Sequence, residues 1–236
     1  MLVFILAESA LEMVPRELWN HPSVRNYAQD REKSPGKLFL DRSYHHAAML
    51  GLGGAEKRGR PDIVHVTLLS VLGSPLNLEG LLETYIHTAD DQVLKFRPET
   101  RLPRNFSRFL SLMEQLYEKG KVPTDGESLI TLEKLTLPQL MKNLKIDHTV
   151  AFTRLGKYGT VEETANIMAR YGRAAVIVGG FPHGHLSAKT LQTADETFCI
   201  DRDTLDSWVL ASRIIYEYER ALGLPEKRIP GVKSAK

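Results

Sequence analysis

Toward its C-terminus the chain runs from an unbroken apolar stretch directly into a glycine turn, Val176-Ile177-Val178-Gly179-Gly180-Phe181-Pro182-His183-Gly184-His185. Valine and isoleucine without polar alternation suit a strand covered on both faces, as in the parallel sheets of α/β proteins. Ligands of such sheets sit outside the carboxyl ends of strands, where glycines let the backbone approach them. The spacing is not a dinucleotide fingerprint, because no third glycine follows at the Rossmann interval and Pro182 opens a long loop instead of a helix. On its own, the stretch fits a tight structural turn as well as a cofactor loop.

A second junction of the same kind follows, Phe198-Cys199-Ile200-Asp201-Arg202-Asp203-Thr204-Leu205-Asp206-Ser207-Trp208. Here a strand leads through a polar loop into an amphipathic helix that Thr204 or Asp206 can cap. Two neighbouring junctions make the walls of one cofactor pocket, one offering backbone amides and the other an apolar floor.

Periodicity extends this pattern over the chain. Buried or half-buried strands are expected at 2–6, 37–40, 83–87, 93–96, 148–153, 174–178 and 197–200, and helices at 63–71, 106–118, 161–171 and 206–222. Strands alternating with helices toward the C-terminus imply a parallel sheet. Residues 73–141 read as an insertion in a single α/β domain of 236 residues, because no flexible linker isolates them. The polar end, 227–236, is expected to fray. One cysteine, Cys199, excludes an intramolecular disulfide framework and a cysteine-rich metal site. Without a membrane-length apolar run or a signal peptide, the expected location is the cytoplasm and no membrane partner is expected.

A net charge of +2 decides nothing, but its distribution does. Residues 95–121 hold seven basic side chains against three acids, with Arg101, Arg104 and Arg108 around Pro103. Pro103 suits the first turn of a helix, and spacings of three and four residues put these arginines on one side of it. At the positive end of a helix dipole they cost stability unless an anion binds there, so phosphate is the expected partner. A solvated face is the bland alternative. In Arg58-Gly59-Arg60-Pro61-Asp62-Ile63, Asp62 is placed to fix the Arg60 guanidinium or to cap a helix. The adjacent His45 and His46 point in different directions on a helix, without a third ligand at metal spacing.

Taken together, these stretches resemble the ribosome-biogenesis pseudouridine N1-specific methyltransferases of the SPOUT class, found in archaea and eukaryotes. The resemblance rests on Arg60-Pro61-Asp62-Ile63 with His65 and Leu68-Leu69, and on Gly73-Ser74-Pro75-Leu76-Asn77. It rests also on Arg101-Leu102-Pro103-Arg104 with Arg108, and on Val178-Gly179-Gly180 with His183-Gly184. It implies a SPOUT-like parallel sheet with a deep C-terminal trefoil knot, a homodimer, and S-adenosylmethionine held bent by the knotted loops. The implied target is a pseudouridine of small-subunit ribosomal RNA near the decoding region, with ribosomal proteins or assembly factors as further partners.

The cofactor residues so implied are Phe152, Thr153, Gly179, Gly184, Ile200, Asp201, Arg202, Asp203, Thr204 and Leu205. RNA contacts fall to Arg60, Arg101, Arg104 and Arg108. Arg60 and Asp62 are the catalytic pair, and no metal is involved. Asp203-Thr204-Leu205-Asp206 departs from the small, less charged sequence of eukaryotic members. Catalysis is expected to be positioning plus electrostatics, with an arginine stabilising the anion that develops on the base. The rivals are a non-catalytic RNA-binding assembly factor, a metal hydrolase using His45, His46, His183 and His185, and, more distantly, a nicotinamide oxidoreductase.

Overall fold

A computed structural model describes residues 1–229. The chain opens with β1 (Leu2–Ser9), whose LVFILA run is buried throughout. It pairs in parallel with β2 (Leu82–Thr88) on one side and β7 (Ala174–Gly179) on the other. Leu2, Phe4 and Leu6 enter one core, while Val3, Ile5 and Ala7 enter a second on the opposite face. An apolar run without alternation is the result of covering both faces.

Before β2 come α1 (Pro22–Asp30), α2 (Arg42–Met49), α3 (Pro61–Leu72) and the single turn α4 (Pro75–Leu78). After it come β3 (Gln92–Phe96), α5 (Phe106–Lys119), β4 (Lys121–Val122), β5 (Ile130–Lys134) and α6 (Leu137–Leu144). The C-terminal part adds β6 (His148–Tyr158), α7 (Val161–Met168), α8 (Ala188–Leu191), β8 (Glu196–Cys199), α9 (Ser207–Ala221) and α10 (Leu224–Arg228).

The sheet runs β4-β5-β3-β2-β1-β7-β6-β8. It is mixed, not purely parallel as expected: β2, β1, β7, β6 and β8 are parallel, and β3, β5 and β4 extend the edge as antiparallel strands. The reason is the tight turn at Ala89-Asp90-Asp91, where Asp91 takes a φ of 59°. A hairpin turn reverses the chain, whereas a parallel return needs a long crossover. Helices α3, α5, α7 and α9 supply the core on one face, and α6 with the segment around Leu186 and Leu191 covers the other.

The expected strand at 37–40 is absent. Lys37 ends a 3-10 turn, and Phe39 forms only an isolated antiparallel bridge with Met13. Leu38 and Leu40 instead join Val14, Val24, Ala48 and Met49 in a third cluster beneath α1 and α2. The short apolar run that suggested a strand pairs only at that bridge and is buried among helices. The helix expected at 161–171 stops at Met168, and Tyr171 instead stacks on His148 at 4.5 Å. Of the 227–236 segment, α10 takes in Lys227 and Arg228, and 230–236 lie outside the described residues.

Candidate functional site

The middle of β6, where its pairing with β8 shifts after Phe152, and the carboxyl ends of β7 and β8 open into one cleft of about 490 Å³. That is the size of a small-molecule site. Phe152, Val178, Phe198, Ile200, Leu205 and Leu210 give it an apolar lining, while Asp201, Asp203 and Thr204 add polar groups. Of the ten residues expected here, nine line the cleft: Phe152, Thr153, Gly179, Gly184, Ile200, Asp201, Asp203, Thr204 and Leu205. Arg202 does not. Its side chain is 90% exposed and leans on Asp203 at 3.4 Å.

Local hydrogen bonds set the walls. The Ser207 hydroxyl donates to the Gly179 carbonyl at 2.6 Å, tying the start of α9 to the end of β7. Asp206 occupies the N-cap of α9 but accepts no hydrogen bond there, so the expected capping is not made. The Asp203 amide donates to Asp201 Oδ1 at 3.0 Å, which shapes the last loop. Arg154 donates to Thr204 Oγ1 at 3.1 Å, joining β6 to that loop. Arg154, Phe181 and Leu210 were not singled out from the sequence, although Phe181 stands in a quoted motif, and His183 and Cys199 were named there for other reasons. Gly184 takes a φ of 96°, a left-handed value that favours glycine at this point of the wall.

Beside this cleft stands the arginine element. Arg60 caps α3, and its guanidinium donates twice to Asp62, from Nε to Oδ1 at 2.8 Å and from a terminal nitrogen to Oδ2 at 2.7 Å. Asp62 sits in the first turn of the helix, where its charge also suits the dipole. The hydrogen bonds that Asp62 accepts raise the Arg60 pKa most, and the charges of Asp41 and Asp206 add to it. Three residues before Arg60, the Lys57 ammonium stands 4.3 Å from the Phe181 ring centroid and its stem lies against Gly184, both in the cleft wall, so the Arg60 segment packs beside the cleft.

The second basic group differs from expectation. Helix α5 begins at Phe106 with Asn105 as its cap, so Arg101, Pro103 and Arg104 lie in the loop before it and only Arg108 is helical. Asn105 accepts from the Arg108 amide at 3.1 Å, and this cap fixes the helix start at Phe106, where periodicity predicts it and three residues past Pro103. All three arginines are exposed, and among the described residues none has a carboxylate within ion-pairing distance. His65 of α3 bonds to the Pro103 carbonyl, which holds this loop against the helix that Arg60 begins.

The histidines do not assemble a metal centre. His45 is fully buried and accepts the Asp41 amide on Nδ1, whereas His183 and His185 line the cleft. Among the described residues there is no group of three or more His, Cys, Asp or Glu arranged to hold a metal ion. No helix among them is long and apolar enough to cross a membrane.

A family profile described as EMG1/NEP1 methyltransferase matches residues 4–219. The ribosomal RNA small subunit methyltransferase Nep1 of Thermococcus kodakarensis is 42% identical over 224 residues, covering 95% of this chain and 100% of the relative. That of Pyrobaculum islandicum is 45% identical over 224 residues, covering 94% of this chain and 100% of the relative. Among solved structures, Archaeoglobus fulgidus Nep1 bound to S-adenosylhomocysteine superposes with a TM-score of 0.83 at 35% identity, covering 94% of this chain and 98% of that one.

Proposed function

The chain belongs to the EMG1/NEP1 methyltransferase family, and from that premise we infer that it methylates small-subunit ribosomal RNA with S-adenosylmethionine as donor, at N1 of a pseudouridine. The enzyme class follows from relatives that are named ribosomal RNA small subunit methyltransferases, and the donor from a relative bound to S-adenosylhomocysteine. The atom and the nucleotide are this article's reading. The observation that carries it is the packing of the segment that leads into Arg60 against the wall of a donor-sized cleft, through Lys57 on Phe181 and Gly184.

The cleft fits the donor's chemistry. Its apolar floor suits the adenine ring and the methylene chain, and the carboxylates of Asp201 and Asp203 suit ribose hydroxyls and an ammonium. We assign the holding of the donor to Phe152, Thr153, Gly179, Gly184, Ile200, Asp201, Asp203, Thr204 and Leu205. Arg202 we leave out of that group because of its exposure. When bound, S-adenosylmethionine supplies a sulfonium methyl open to nucleophilic attack.

What the chain supplies is orientation and charge. Pseudouridine offers a second imino nitrogen, N1, which takes the methyl as the methyl–sulfur bond breaks, and its proton passes to solvent water. Arg60, held in one rotamer by two bonds to Asp62, faces the developing anion and lowers the barrier without serving as a base. Arg101, Arg104 and Arg108 take phosphates and fix the strand, so the base turned out of its stack enters the cleft. No general base is needed, since positioning and electrostatics together supply several kcal/mol.

Three further assignments belong to the same proposal. The first is a deep trefoil knot formed by 153–206. Supporting it, β6 meets β8 twice, with Phe152 and Lys157 both opposite Phe198, and the Gly156 backbone lies flat against Phe198. The second is a homodimer, supported by exposed Tyr216 and Ile229 in the lining of a hollow between α3, α9 and α10. The third is that 73–141 is a family insertion in a single domain, which the antiparallel edge strands suit. A cytoplasmic location belongs to the same reading, and a ribosomal RNA substrate suits it. The test is mass spectrometry of small-subunit RNA incubated with protein and methyl-labelled donor: one labelled N1-methylpseudouridine is expected. Label on another base or atom overturns the assignment of N1.

A further inference from the structure

Lys57 closes a 3-10 turn, Ala55–Lys57, three residues before Arg60. Its ammonium donates to Glu8 Oε2 at 3.0 Å and to the His185 carbonyl, and stands 4.3 Å from the centroid of the Phe181 ring. Its stem fills the space beside Gly184, where an added Cβ would meet Lys57 Cε at 3.1 Å. Phe181, Gly184 and His185 are all part of the cleft wall. Glu8 completes the joint, because its other oxygen accepts the Ser187 amide at 2.7 Å. Burial alone would raise the Glu8 carboxyl, but hydrogen bonds from Thr190, Ser187 and Lys57 outweigh it and hold the pKa below the ordinary value. Glu8 also adopts a φ of 51°, which non-glycine residues keep only where the surroundings hold them to it.

The same short segment is fastened on its other side. Arg58 forms a double hydrogen bond to Glu12 at 2.8 and 2.7 Å, the Gly59 carbonyl accepts the Arg42 amide at 2.9 Å, and Arg60 pairs with Asp62. Residues 57–62 are thus a stiff connector with the donor wall at one end and the RNA-facing guanidinium at the other. None of this was legible as a motif, because Glu8, Lys57 and His185 are far apart in the chain.

We propose that Lys57 is a positioning residue that fixes the 181–187 wall to the Arg60 element, so that donor and RNA strengthen each other's binding. This rests on the methyltransferase reading above. A ligand that orders one end of a stiff connector reduces the ordering left for the ligand at the other end, and such coupling is reciprocal.

The test is calorimetric titration of the full chain with S-adenosylhomocysteine, alone and with deproteinised small-subunit ribosomal RNA. In the wild type, RNA should tighten S-adenosylhomocysteine binding by roughly fivefold or more. Lys57→Met keeps the stem and removes the donor. It should weaken S-adenosylhomocysteine by about tenfold, leaving the His185 carbonyl and Glu8 without their cation, and bring the RNA effect to one. Lys57→Arg should keep the effect. A structural staple would lower both affinities but preserve their ratio, so an unchanged ratio in Lys57→Met overturns the proposal. If Lys57→Met does not fold, Glu8→Gln reads the same ratio and must lose it. Tight S-adenosylhomocysteine binding with no RNA effect in the wild type sinks this inference alone, and no S-adenosylhomocysteine binding at all sinks the methyltransferase reading with it.

Discussion

His65 Nε2 lies 2.7 Å from the carbonyl oxygen of Pro103. A carbonyl can only accept, so this nitrogen carries the proton, and the ring is held in place by stacking on Phe109 at 4.3 Å. One bond thereby joins the helix begun by Arg60 to the loop that carries Arg101 and Arg104, and brings two basic segments to one side of the molecule.

His65→Phe preserves the stacked ring and removes that bond. RNA affinity should fall by roughly tenfold, from the loosened loop and the unpaired carbonyl, with S-adenosylhomocysteine affinity unchanged. Equilibrium binding to small-subunit RNA checks it, and equal affinity would show that the loop is held in other ways.

Arg104→Ala removes one exposed guanidinium that has no acidic partner among the described residues. RNA binding should weaken at low salt, and the dependence of log K on log salt should flatten by about one unit. A binding isotherm at four salt concentrations reads both.

Asp62→Ala should separate activity from stability. The Arg60 and Asp62 side chains are 34% and 42% exposed, so water screens their attraction and the loss of fold stability should stay within about 1 kcal/mol. The freed guanidinium, however, no longer faces one way, so kcat should fall by at least about tenfold. Urea titration and single-turnover methyl transfer together decide it, and equal losses in both would reduce the pair to a structural one.

Gly156→Ala would place a Cβ 2.6 Å from the backbone N and C of Phe198. Backbone cannot swing aside as a flexible side chain does, so the variant should lose on the order of 3 kcal/mol and bind S-adenosylhomocysteine poorly. A thermal melt near that of the wild type would mean the 153–157 turn is free to move away from β8.

His45 should make the fold sensitive to mild acid. Burial lowers its pKa, and its Nδ1 accepts the Asp41 amide, which only the neutral ring can do. The unfolded chain begins to take up a proton near the ordinary value of 6.5, before the folded one does. Stability is therefore complete above that pH and declines as pH falls through it toward the lowered value, by at most about 1.4 kcal/mol per unit for this group. His45→Asn should remove that share of the slope in urea titrations between pH 7 and 5.

Local pattern carried a good deal of this molecule. The β1 and β7 runs are legible because a strand covered on both faces must be apolar at every position, and that requirement is written residue by residue. The cleft loops are legible for a related reason: each follows its strand directly, so finding the strand end locates the loop. The bond from Arg60 to Asp62 spans two residues across a helix start, close enough to be read from spacing. Other features have no local period. The α1 and α2 pair was missed because short helices with few buried positions leave a weak stripe, and 37–40 has the short apolar run of a strand yet is buried beneath those helices.

The amino-acid sequence by itself determined where the buried strands run, which loops leave their ends, and where basic residues concentrate, since these follow from neighbours a few positions apart. Tertiary structure alone decided that Arg101 and Arg104 precede α5 instead of riding on it, that Arg202 turns outward, and that Lys57 reaches His185 and His65 reaches Pro103. Each of those outcomes depends on partners brought together by closing long loops and by competition for buried hydrogen bonds. Such choices are settled by the whole packed molecule, because the free energy of a contact between distant residues exists only once everything between them has folded.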